Sequence, residues 1–190
     1  MSGAEFERRD RGNRSNGDEL IPRVSQETRF KLQRELSEFP GNDYDLAATY
    51  LERINIVNPI VAEYIAGLAQ QVPEGPYSDC VAMAGVLVYR LLELEFEQRG
   101  KEMPIVQREI ADSLIMDIAQ EERYFHKLAN SLVAENYELL EVLSTFSSIV
   151  NSSSERERVS PLVIPLVIAS ALGVYALIKA QREVDILSGL

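Results

Sequence analysis

The sequence contains no tryptophan, one cysteine and one histidine among its 190 residues. With Cys80 alone, no disulfide can form within the chain, and no cysteine and histidine spacing suits a zinc site. The charged first twenty residues also lack the apolar core of a secretory signal. We therefore expect a cytoplasmic protein that is not secreted.

The common catalytic and nucleotide-binding motifs are missing as well. No phosphate-binding loop, no glycine-rich dinucleotide fingerprint and no nucleophile elbow occurs in the sequence. We expect no enzymatic activity, no cofactor and no small-molecule substrate.

The charge balance bears on the choice of partner. Thirty acidic residues against nineteen basic residues give a net charge of −11. Phosphate neutralisation requires a basic surface, so nucleic acid is not an expected partner.

Apolar residues recur at helical spacings of three and four, and no segment alternates with a period of two. This pattern predicts an all-α fold, an irregular multi-helix bundle. Residues 1–24 are polar and are predicted to be a disordered arm. Residues 25–42 are predicted to form a weakly docked helix and a linker, and residues 43–188 a single helical domain.

Turn and capping residues divide the first part of that domain. Asp43 is expected to cap one helix, and Asn58-Pro59 to start the next. The loop 72–78 contains two prolines and a glycine. Ser78 or Asp79 is then expected to cap a helix from Cys80 to Arg99, which Gly100 ends.

A long segment without proline or glycine follows Pro104. From residue 104 to residue 150 apolar residues recur in a heptad-like stripe, interrupted by Glu121 and Glu135. The pattern predicts either one helix or two helices broken near Asn130-Ser131, and the break is favoured because very long helices are rare in compact domains.

Residues 161–178 form an uncharged run of eighteen residues, within a helix predicted at 161–187. The run is long enough to cross a membrane and equally suits the central helix of a bundle. A match between Val81–Gln98 and Val167–Val184, which share Val-Tyr, then one differing residue, then two aliphatic residues, favours the buried alternative.

Two groups of ionisable residues are candidate sites. Glu122 and His126 lie four residues apart on a predicted helix and are the only weak candidates for metal binding; an exposed pair is the favoured interpretation. Glu93, Glu95 and Glu97 alternate in sequence and are predicted to form a solvated acidic face.

Cys80 and the helical tyrosines are interpreted structurally. Cys80 is expected to enter the core as a small apolar residue. The tyrosines on predicted helices are expected to have a buried ring and a solvent-exposed hydroxyl. Those tyrosines are Tyr44, Tyr50, Tyr64, Tyr89, Tyr124, Tyr137 and Tyr175.

These features predict a non-enzymatic interaction or assembly protein, a subunit of a larger complex such as a virion or scaffold. Its expected partner is another protein or further copies of itself. Two alternatives stay open: a tail-anchored membrane protein with a transmembrane helix near 161–178, and a small helical metal protein or enzyme using Glu122 and His126.

Overall fold

The structure, a computed structural model, describes residues 20–39, 43–120, Asn130, Asn136 and 163–189. Within these residues all regular structure is α-helical, which confirms the predicted all-α bundle. The helices are α1 (Gln26–Glu38), α2 (Asp43–Val57), α3 (Pro59–Ala69), α4 (Pro76–Gln98), α5 (Arg108–Gln120) and α6 (Val163–Ser188).

Helices α4 and α6 form the centre of the bundle and pack against each other. Helices α1, α2 and α3 pack on α4, while α3 and α5 also pack on α6. Every residue from Val81 to Leu92 is buried, and so is every residue from Ser170 to Ile178. These stretches are apolar on nearly all sides because other helices surround them, and Arg90 is the one charged residue within them.

The ends of α4 follow from local chemistry. Gly75 has a φ of 127° and precedes the helix, and the Ser78 hydroxyl donates to its carbonyl at 2.8 Å. The helix therefore begins at Pro76, one turn before the predicted start at Cys80. At the other end Gly100 has a φ of 63°, and Lys101 N donates to Phe96 O at 2.9 Å. This is the glycine-terminated helix end that the sequence predicted.

Helix α6 is the predicted apolar C-terminal helix, observed at Val163–Ser188. Pro165 lies in its first turn, where a missing N–H costs no helical hydrogen bond. By length and composition the helix is long and apolar enough to cross a membrane, and most of its apolar stretch is buried within the protein. In this structure α6 is a core helix.

The segment predicted as one helix or two from 104 to 150 differs from expectation at its start. Residues 101–107 are not helical, and α5 begins at Arg108. Asn130 is helical whereas Asn136 lies outside any helix, so one unbroken helix to residue 150 is excluded. A break at Asn130 itself is not observed.

The last residues of the predicted N-terminal arm are packed against the bundle. Ile21 and Val24 are buried, with exposed fractions of 7% and 2%. The packed chain therefore includes residues 21–24, which the prediction had assigned to the arm. Residues 1–19 lie outside the described part of the chain.

Candidate functional site

Arg90, on the central helix α4, is the centre of a buried ion-pair cluster. Its side chain is only 8% exposed. Glu35 of α1 accepts two hydrogen bonds from it, from Nε at 3.0 Å and from Nη2 at 2.8 Å. Glu93, one turn along α4, accepts from Nη1 and also binds Arg53 of α2 at 3.1 Å. The cluster thus joins α1, α2 and α4.

The electrostatics of this cluster are those of a structural ion pair. Hydrogen bonding to Arg90 lowers the pKa of Glu35 from its ordinary value of 4.5. Burial by itself would lower the pKa of Arg90, but its bonds to Glu35 and Glu93 raise it above the usual range. Both groups stay ionised at every physiological pH, so neither is suited to exchanging protons with a substrate.

Glu95 accepts hydrogen bonds from residues at the start of α1. Its carboxylate, 2% exposed, accepts from Ser25 N at 2.8 Å and from Thr28 Oγ1 at 2.7 Å. Arg99, one turn further on, donates to it at 2.9 Å. Burial would raise the pKa of Glu95, yet the hydrogen bonds from Ser25, Thr28 and Arg99 lower it from 4.5.

The prediction of a solvated acidic face at Glu93, Glu95 and Glu97 is therefore wrong for two of the three. Glu95 is buried under α1, and the Glu93 side chain is 13% exposed beside Arg90. Only Glu97 is largely exposed. Helix α1 is thus held to α4 by charged hydrogen bonds in addition to its buried Leu32.

Two glycines allow the core helices to approach closely. A Cβ on Gly85 of α4 would lie 2.5 Å from Ser170 Oγ and 2.8 Å from Cγ1 of Ile65. A Cβ on Gly173 of α6 would overlap the Tyr64 hydroxyl, which donates to Ala169 O at 2.9 Å. These glycines are needed for packing and leave no room for a ligand.

Asn58, between α2 and α3, binds a distant segment of backbone. It is 1% exposed and does not cap α3 with its side chain. Its Nδ2 donates to Pro104 O at 2.9 Å, and its Oδ1 accepts from Val106 N at 3.1 Å. We call this arrangement the Asn58 clasp.

Exposed apolar side chains adjoin the Asn58 clasp. Ile56 is 79% exposed, Val57 is 45% exposed, and Ile105, between the two clasped residues, is 61% exposed. A single exposed isoleucine is ordinary, but here three large exposed apolar residues lie within two sequence positions of residues in one buried contact. We call these three residues the clasp patch.

The residues singled out from the sequence contribute no chemical site within the described chain. Glu122 and His126 lie outside the described residues. Among the described residues no group of three or more His, Cys, Asp or Glu could hold a metal ion. Cys80 is half-buried against the core.

Two tyrosines differ from their predicted boundary role. Tyr89 and Tyr175 are completely buried, with exposed fractions of 2% and 0%. Burial raises the pKa of Tyr89 to about 12, so this hydroxyl stays protonated and acts in packing and hydrogen bonding.

Sequence reasoning missed Asn58 as a contact residue and Arg90 as a cluster centre. An arginine in the apolar run of α4 was a usable signal, because an arginine at a core position requires acidic partners. Comparison of the chain with protein families, with characterised proteins and with solved structures finds no match.

Proposed function

We propose that this protein is a non-enzymatic assembly subunit, and that copies of it associate through the clasp patch. The observation that carries the proposal is the exposure of Ile56, Val57 and Ile105 beside a rigid buried contact. A larger structure such as a virion or scaffold, built from repeated copies, is the context we expect. No enzymatic step, cofactor or nucleic acid forms part of this proposal.

The buried charges support a structural role. Arg90 of α4 pairs with Glu35 of α1, and Glu95 of α4 accepts from Ser25 directly before α1, so these charged groups hold α1 to α4. The side chains of the clasp patch, in contrast, are apolar, and covering them favours association by roughly 25 cal/mol per Å² of apolar area removed from water.

Net charge determines how such association depends on salt. Each copy carries −11, so copies repel one another at low ionic strength. Salt screens this repulsion and leaves the apolar contact in place. Self-association should therefore strengthen as salt increases, whereas binding to a basic protein partner would weaken.

The test is sedimentation of the full chain between 50 mM and 1 M NaCl, with Ile56→Lys as the patch variant. The control is Phe30→Lys, which adds the same charge at an exposed apolar residue of α1, 59% exposed and outside the patch. We expect larger species at high salt for the wild type and the control, and monomer for Ile56→Lys. A wild type that stays monomeric at every salt concentration, or a patch variant that assembles like the control, contradicts the proposal.

A tail anchor is the second candidate function, favoured by the length and hydropathy of α6. Insertion of α6 into lipid would remove it from α3, α4 and α5 and expose the apolar side of α4. Because that exposure is costly, we favour the core role and a cytoplasmic location. Detergent phase partition of the full chain separates the two: the core role places the protein in the aqueous phase, and recovery in the detergent phase would establish the anchor.

A further inference from the structure

Helices α4 and α6 share more than an apolar pattern. In the alignment of Val81–Gln98 with Val167–Val184, Glu95 corresponds to Gln181, and both are buried. Glu95 accepts from Ser25 N, directly before α1, at 2.8 Å; Gln181 accepts from Gln107 N, directly before α5, at 2.9 Å. Each side chain thus accepts a hydrogen bond from the backbone N–H of the residue directly before a helix, α1 for Glu95 and α5 for Gln181.

The correspondence extends one turn further along each helix. Glu95 pairs with Arg99 at 2.9 Å, and Gln181 donates to Asp185 at 2.8 Å. The donor and acceptor roles are exchanged: Glu95 accepts from Arg99 in α4, whereas Gln181 donates to Asp185 in α6, and the four-residue spacing is kept.

The segments before α1 and α5 also match. Residues 21–24 read Ile-Pro-Arg-Val and residues 103–106 read Met-Pro-Ile-Val. Their valines, Val24 and Val106, are both 2% exposed. We call residues 21–24 and 103–106 the first and second straps.

Each strap is held by an asparagine with the same geometry. Asn58 donates to the proline carbonyl of the second strap at 2.9 Å and accepts from its valine N–H at 3.1 Å. Asn136 donates to the proline carbonyl of the first strap at 3.1 Å and accepts from its valine N–H at 3.2 Å. Both asparagines are 1% exposed.

We infer that the chain consists of two repeated halves, residues 21–101 and 103–187, related by an approximate two-fold axis, and that each half clasps the strap of the other. Asn58 belongs to the first half and binds the second strap, while Asn136 belongs to the second half and binds the first strap. Such reciprocity is what a two-fold interface requires, because a contact from i to j is repeated from j to i. Each half is thus the binding partner of the other.

The crossing of α4 and α6 agrees with this axis. Gly85 of α4 meets Ser170 of α6. In the alignment Gly85 corresponds to Ala171, and Ser170 corresponds to Ala84. Equivalent parts of the two helices therefore meet each other, as they do where helices cross on a two-fold axis.

The first test is backbone NMR of the full wild-type chain. Since α2 and α3 flank Asn58, the repeat predicts their counterparts at 121–135 and 137–147, flanking Asn136. Helical Cα shifts in both segments, interrupted at residue 136, are the expected result. Helical shifts that continue through residue 136, or non-helical shifts in either segment, overturn the inference.

The second test measures hydrogen exchange in Asn58→Ala and Asn136→Ala, with Asn55→Ala, an exposed residue of α2, as the control. Asn58→Ala should speed exchange at Val106 at least tenfold, and Asn136→Ala should do the same at Val24, because each loses its acceptor. If amide hydrogen exchange becomes faster only within the mutated half, the reciprocal contact between the two halves is contradicted. If an alanine variant does not fold, the wild-type shifts decide the question.

Discussion

The ring of Tyr64 occupies the space that a side chain at Gly173 would fill, and its hydroxyl donates to the carbonyl of Ala169. Helices α3 and α6 are held together at this point by a close contact and a hydrogen bond. Both depend on the missing Cβ.

Gly173→Ala should therefore destabilise the protein by about 1–3 kcal/mol, the usual cost of overpacking a core. The control is Gly67→Ala in α3, where an added Cβ meets nothing within 4 Å. That control should leave stability unchanged or raise it by about 0.5–1 kcal/mol, because alanine is the better helix former. Urea unfolding of both variants measures the difference, and equal effects would show that Tyr64 can move aside.

Arg90→Ala should lower the free energy of unfolding by about 2 kcal/mol. This is below the range for a fully buried pair because Glu35 is partly exposed. Arg108→Ala removes an exposed ion pair with Glu63 and serves as the matched control. We expect no measurable shift of its urea midpoint. A control as damaging as Arg90→Ala would mean that the buried cluster has no special role.

Stability should fall in acid through Glu95 and Glu35. Folding holds the pKa of both carboxyls below 4.5, so below that pH the unfolded chain binds protons more readily than the folded protein. Their stabilising contribution is complete above pH 4.5 and is lost as the pH falls through the folded pKa values.

Urea midpoints of the wild type and Glu95→Gln at pH 6 and pH 3.5 test this dependence. Glutamine fits such a position, as Gln181 shows in α6, and it keeps an acceptor for Ser25 N. The variant should therefore lose less stability in acid than the wild type. An identical loss would place the acid sensitivity elsewhere.

The metal alternative is tested on the purified full chain. For an exposed Glu122 and His126 pair, His126→Ala should change stability by about 0.3 kcal/mol. No iron, manganese or zinc should copurify. A stoichiometric metal that disappears in His126→Ala or Glu122→Ala would establish the metal protein instead.

Most helices could be predicted from local pattern, because apolar spacing and turn residues such as Asn58-Pro59 and Gly100 act over a few positions. The buried polar residues, such as Glu95, could not be predicted in this way. Glu95 looks solvated within its own segment, and its partners Ser25 and Thr28 lie 70 and 67 residues away in sequence. A carboxylate can be buried only where hydrogen-bond donors reach it in the fold. The residues next to Glu95 in sequence do not show which distant donors will do so.

The two clasps have different neighbouring residues in sequence, and this has a consequence for how the two halves can differ. The Asn58 clasp is flanked by Val57 and Ile105, whereas the corresponding sequence positions near Asn136 are Glu135 and Arg23. In a dimer of two identical subunits, any substitution would alter both copies of this surface at once. Because the halves belong to one chain, they stay together at any dilution, and the residues beside Asn58 can be apolar while those at the corresponding positions are charged.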